Sequence, residues 1–384
     1  METVHRLLET LVGFDTTSRV SNLELLSFVE GLLDEHGVPY RRVPDDTGTK
    51  ANLIARIGPE VPGGVVLTGH TDCVPVEGQP WTTDPFSLVE RDGRLHGRGT
   101  TDMKGFLAVV LAALPRLVAA DLERPIQLVL THDEEIGTIG APAAVAALLA
   151  SEPRPDLVIV GEPTLMEPVT AHKGVRAFTT TVEGLDGHSS RPDLAANAIA
   201  ALSRIAVHID ELATRHRDAA ADPRFTPPYT TFNLAMVSGG QAVNIVPRRA
   251  ELVWEYRPVP ADDSMAIRDE VERHAREEVL PHLRAATGSG EVTFRVDAAA
   301  RGLDAEPDGR AEALVRELTG FEGPSGTVGF ATDGGHFQAA GLSTVVCGPG
   351  SIEQAHQPDE WIDAEQLEAA AGFVDALAGR LSRR

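Results

Sequence analysis

Val65-Val66-Leu67-Thr68-Gly69-His70-Thr71-Asp72 is a short apolar, β-branched run that ends on a histidine and an aspartate. A run of this kind reads as a buried parallel strand. The pattern recurs along the chain. Residues 126–130 are followed by Glu134-Glu135, residues 157–160 by Glu162, and residues 344–347 by a loop that holds His356. Between the runs lie helical patterns at residues 23–35, 103–118, 141–150 and 365–381, so an α/β domain with a mostly parallel sheet and helices on both faces is expected. In open α/β sheets, sites form in the crevice at the carboxyl ends of the strands. Histidine and carboxylates after several strand ends are therefore expected to converge.

Residues 174–301 read differently. Strands are expected at 176–183, 230–237, 250–257 and 291–296, with helices at 195–212 and 264–279 and a surface loop at 215–228. That order is β-α-β-β-α-β, a ferredoxin-like α+β arrangement. It interrupts the first domain, which is expected to comprise residues 1–173 and 302–384.

The length of 384 residues suits one large and one smaller domain. The charge of 34 − 57 = −23 disfavours nucleic acid and anionic membranes as partners. The first residues carry acid early, and no run reaches the length of a membrane span, so a cytoplasmic protein is expected. Cys73 and Cys347 are the only cysteines and form no CxxC, which argues against a disulfide framework and a zinc ribbon.

His70, Asp102, Glu135, Glu162 and His356 offer two imidazoles and three carboxylates, a ligand set for two divalent ions. Asp102, on Gly97-Arg98-Gly99-Thr100-Thr101-Asp102-Met103-Lys104-Gly105, is the expected bridge, with His70 and Glu162 on one ion and Glu135 and His356 on the other. Three carboxylates and one further anion would balance the two ions, as a partly buried cluster requires. Glu134, next to a ligand and pointing elsewhere, is the expected general base. Asp72 is placed to accept the second N–H of His70 and fix its tautomer. The glycine-rich run does not match a phosphate-binding loop, and its aspartate would repel phosphate.

These segments, with Asp133-Glu134-Glu135, Gly161-Glu162-Pro163-Thr164, Ala171-His172-Lys173-Gly174 and Cys347-Gly348-Pro349-Gly350 through His356-Gln357-Pro358-Asp359-Glu360, resemble the M20-type metallopeptidases and deacylases over nearly the whole chain. The last segment is most similar to the family's deacetylases that act on N2-acetylornithine in arginine biosynthesis. The resemblance implies a zinc-exopeptidase-like catalytic domain holding two Zn2+, with Co2+ as a substitute, and an inserted lid through which the chain forms a homodimer. It implies an N-acylamino acid as substrate and a cis Asp102–Met103 peptide. His188, in Gly187-His188-Ser189-Ser190, resembles a residue that reaches the partner subunit's site. Arg257, Asn244, Asp333 and Lys173 resemble substrate-binding positions. Asp333 stands where many of those deacetylases carry Glu; a pocket selective for acetylornithine needs a cation such as Arg257 and an anion such as Asp333. The alternatives are another N-acylamino acid, succinyl-diaminopimelate or a dipeptide as substrate, or an inactive metal-binding relative.

Overall fold

The computed structural model describes residues 1–150, 153–219, 222–262 and 264–383, and the chain divides into two compact units. The first comprises Met1–Ala171, Leu303–Thr327 and Thr332–Arg384, and the second His172–Gly302 with Val328–Ala331. Each has its own apolar core. The second unit thus takes in His172, Lys173, Gly302 and Val328–Ala331, which the sequence reading left with the first.

The first unit is built on an eight-stranded sheet in the order Tyr40–Pro44, Ala51–Ile57, Ile126–Thr131, Val65–His70, Leu157–Pro163, Ser343–Gly348, Val169–His172, Gly326–Val328. The four strands from Ile126–Thr131 to Ser343–Gly348 run parallel, while Ala51–Ile57 and Val169–His172 pair with them antiparallel. Every residue of Val65–His70, Ile126–Thr131 and Ser343–Gly348 is buried. Because side chains alternate between sheet faces, burial at every position means that both faces are covered. Gly105–Ala119 packs against Glu2–Gly13 and Ala364–Leu381, and Ala141–Leu149 packs against Gly334–Ala339.

Two features near the strand ends depend on glycine. A Cβ on Gly348 would stand 2.0 Å from the carbonyl oxygen of Gly161, and one on Gly161 would stand 2.1 Å from the Phe106 ring. Gly348→Ala forces a backbone shift beside Glu162 and is expected to lower the unfolding free energy by about 1–3 kcal/mol. Urea denaturation measures it; an unchanged midpoint would contradict this packing.

The helix expected at 103–118 begins later, at Gly105. The preceding turn, Thr100–Lys104, is not helical at Asp102 (φ −128°, ψ 91°) or Met103 (φ −133°, ψ 35°). The Asp102–Met103 peptide is cis.

The second unit carries an antiparallel sheet in the order Thr231–Gly239, Arg249–Arg257, Val175–Glu183, Glu291–Ala300. Its core joins Phe178, Trp254 and Tyr256 to Ile205 and Ile209 of the helix Ala198–Ala219 and to Val271. That helix starts later than expected, because Ala196 bridges Leu185 in extended form. It also runs past Leu212 through Arg215–Ala219, overriding the first part of the expected loop; residues 220–221 of that loop lie outside the described residues.

Candidate metal centre

His70 is the last residue of its strand and is 1 % exposed. Its Nδ1–H donates to the backbone carbonyl of Asp72 at 2.9 Å. In the neutral ring the proton is thereby placed on Nδ1, and the lone pair of Nε2 faces Asp102 Oδ1 at 3.0 Å and Glu162 Oε1 at 3.6 Å. Asp102 turns its other oxygen to His356, with Oδ2 3.3 Å from Nε2, and Glu135 Oε2 lies 3.0 Å from the same nitrogen. Two groups result, His70/Asp102/Glu162 and Asp102/Glu135/His356. In each, one ligand atom per residue lies within 4.8 Å of the others. Asp102 is the shared member.

The donor set fits divalent cations. An imidazole lone pair aimed at two carboxylates is repulsive unless positive charge lies between them. Burial, followed by the Asp102 charge, pushes Glu162 well above the usual carboxylate range and Glu135 up to about 7. Burial and then the Glu162 charge do the same to Glu134. His356 is raised to about 10 by its contacts with Asp102 and Glu135. The protein alone therefore draws protons into a cluster where metal ions supply the same charge.

Glu134 belongs to neither group, while its neighbour Glu135 does. The turn that carries them is pinned by Asp72, whose Oδ1 accepts the N–H of Glu134 at 3.1 Å and whose Oδ2 accepts the N–H of Glu135 at 3.2 Å and the hydroxyl of Ser18 at 2.8 Å. This corrects the expectation for Asp72. Its carboxylate stays 3.7 Å from His70 Nδ1, beyond hydrogen bonding, because its own carbonyl already takes that proton. Asp133, at φ +54°, is tied by its carboxylate to Lys50 and to His132.

Asp333 is 2 % exposed, and its Oδ2 accepts the Thr131 hydroxyl at 2.6 Å. Its Oδ1 has no hydrogen-bond partner among the described residues. Burial raises its carboxyl to about 6, and its charge acts on Glu134 and Glu162.

In the second unit, the strand Gly187–His188 pairs with Ile245–Val246, and Ser189 N–H donates to the Asn244 carbonyl at 3.1 Å. One ribbon therefore holds His188 and Asn244 together. His188 is exposed, and its Nδ1 accepts the Ser190 N–H at 3.1 Å, which leaves the ring proton on Nε2. Arg257 Nε donates to Glu255 at 3.1 Å. Lys173, expected at substrate, is 2 % exposed and donates to the carbonyls of Pro227 at 2.9 Å and Tyr229 at 2.7 Å. Its ammonium is committed to holding that loop, which corrects the substrate contact expected of it.

Sequence reading missed Ser18 and Thr131, and gave no part to Arg98 and Glu360. A buried charged pair separated by 262 residues leaves no local signal.

The family model for peptidase family M20/M25/M40 matches residues 66–380. The chain is similar to acetylornithine deacetylase of Photorhabdus laumondii subsp. laumondii, 36% identical over 360 residues that cover 93% of this chain and 90% of that one. It is likewise similar to acetylornithine deacetylase of Myxococcus xanthus, 37% identical over 365 residues, 94% and 92% of the two chains. Its fold resembles that of an M20 family metallo-carboxypeptidase from Sulfolobus solfataricus, with a TM-score of 0.74 at 19% identity over 98% of this chain and 99% of that one.

Proposed function

This chain belongs to peptidase family M20/M25/M40, and we propose that it is a two-zinc deacylase that hydrolyses N2-acetylornithine to ornithine and acetate. The observation that carries the reading is a carboxylate, Glu134, standing beside two ligand groups that share Asp102 and belonging to neither. A purely metal-binding relative has no use for it. The relatives named acetylornithine deacetylase, covered over nine-tenths of both chains, support the substrate.

His70, Asp102 and Glu162 would hold one Zn2+, and Asp102, Glu135 and His356 the other, with Co2+ as a substitute. Such ions polarise an amide carbonyl and acidify water. Glu134 takes the proton from the attacking water and delivers it to the departing α-amine. Arg257 is assigned to the α-carboxylate, and Asn244, held on one ribbon with His188, to the substrate of the site that His188 serves. Asp333 Oδ1, buried without a donor among the described residues, is assigned to the side-chain ammonium. His188, with its proton on Nε2, donates to the oxyanion in the partner subunit's site.

The homodimer this requires is supported by the edge strand Thr231–Gly239, which exposes Met236 at 65 % and Val237 at 74 %. Apolar edge strands call for a partner. No helix among the described residues is long and apolar enough to cross a membrane.

A panel of N-acetylornithine, other N-acylamino acids, succinyl-diaminopimelate and dipeptides tests the reading, with turnover greatest on acetylornithine. Chelation is expected to abolish activity while the far-ultraviolet circular dichroism persists. Full activity in protein verified to be metal-free would end the proposal.

A further inference from the structure

Arg98 and Glu360 form an ion pair at 2.7 Å with both side chains 1 % exposed, and neither is a member of a ligand group. Burying two charges costs desolvation that their attraction offsets only when further hydrogen bonds are made. Those bonds lead to the centre from two sides. Glu360 Oε1 accepts the backbone N–H of Thr101 at 3.0 Å and of Asp102 at 3.1 Å, which fixes the peptide bearing the shared carboxylate. Arg98 donates to the Gln357 carbonyl at 3.4 Å and to Gln79 Oε1 at 2.5 Å. Gln79 Nε2 in turn donates to the carbonyl of His356 at 2.8 Å, and its Oε1 also accepts the Trp81 ring N–H at 3.0 Å. One network thus joins the amide of Asp102 to the carbonyl of His356.

The two ligand groups differ in how far they need it. His70 and Glu162 sit on neighbouring parallel strands, and His70 is further locked by the Asp72 carbonyl. His356 lies in a loop at φ +63° with its side chain 50 % exposed, and no strand fixes it. We infer that Arg98, Glu360 and Gln79 are positioning residues for the second cation, setting the affinity of the Asp102/Glu135/His356 group while the His70/Asp102/Glu162 group relies on its strands. The inference rests on the two-cation reading above.

Protein stripped of metal is titrated with Co2+ and followed by visible absorption, with the thermal midpoint of each stripped variant recorded alongside. The wild type is expected to give two binding events. His356→Ala and His70→Ala identify them, since each removes a ligand of one group only. Gln79→Ala, at a half-buried position that carries no charge, is expected to weaken the His356-dependent event by about 10–100-fold, the usual effect of losing an outer hydrogen bond to a metal site, and to leave the other within about twofold. Glu360→Gln keeps an acceptor for the two amides but breaks the ion pair, and is expected to act in the same direction. A purely structural role would lower the thermal midpoint without separating the two events. If both variants leave both affinities unchanged, or weaken them equally, while the wild type binds two ions, the inference is overturned. Fewer than two events in the wild type would overturn the two-cation reading itself, and the inference with it.

Discussion

Glu134→Gln is expected to retain the metal content of the wild type while losing about 10²–10⁴-fold in turnover, the range for removing a general acid–base group. Glu135→Gln is expected to lose metal as well. The two residues are adjacent on one turn, and Asp72 accepts the N–H of each at 3.1 and 3.2 Å. Neither amide substitution touches those backbone bonds. The difference lies in the side chains. Glu135 Oε2 lies 3.0 Å from His356 Nε2 within a ligand group, whereas Glu134 stands outside both groups. An amide at 134 keeps the shape of the side chain but cannot take a proton from water or return it to the amine. Metal analysis and steady-state kinetics on the two variants separate the roles. Equal metal loss in both would show that the pair has been assigned the wrong way round.

What could be read from the sequence follows from where the information is stored. The strand Val65–His70 announces itself by composition, and the rule that sites lie at strand carboxyl ends carries His70, Glu135 and Glu162 to one place without knowledge of any contact. Asp102 and His356 came from residue type and loop context, and the geometry brings them together at 3.3 Å. Tertiary hydrogen bonding was not legible. The part played by Asp72 turns on which of its oxygens meets which N–H, and its neighbour Ser18 lies 54 residues away. Lys173 was misread because a lysine in a site-like segment looks the same whether its ammonium meets substrate or, as here, two carbonyls of a loop more than fifty residues on. The helix Ala198–Ala219 outran its expected end because Ala213, Arg215, Arg217 and Ala219 are good helix formers, which the turn-like composition beyond it obscured.

The other large effect is expected in a mixture of two inactive proteins. His188→Ala removes the proposed oxyanion donor and Glu134→Ala the proposed base, so each homodimer lacks one essential group at both sites. Unfolded together and reassembled, the two chains form mixed dimers in which one site combines Glu134 from one chain with His188 from the other. Random pairing makes half the dimers mixed, and one of their two sites is complete, so recovery of about a quarter of wild-type activity is the ceiling for a two-fold assembly. The local structure suits a residue that serves another subunit. His188 is exposed on a two-residue strand held by Ile245–Val246, so the ribbon fixes its backbone. Ser190 fills its Nδ1, so the ring of this exposed residue carries its proton on Nε2 as a donor. The neighbouring sheet of the same unit ends in an apolar edge strand, the kind of surface that a second copy covers. Recovered activity that scales with the fraction of mixed dimers, measured by differential tagging, would establish that His188 acts across the dimer. A mixture that exchanges subunits yet stays as inactive as its parents would confine His188 to its own chain or remove it from the reaction.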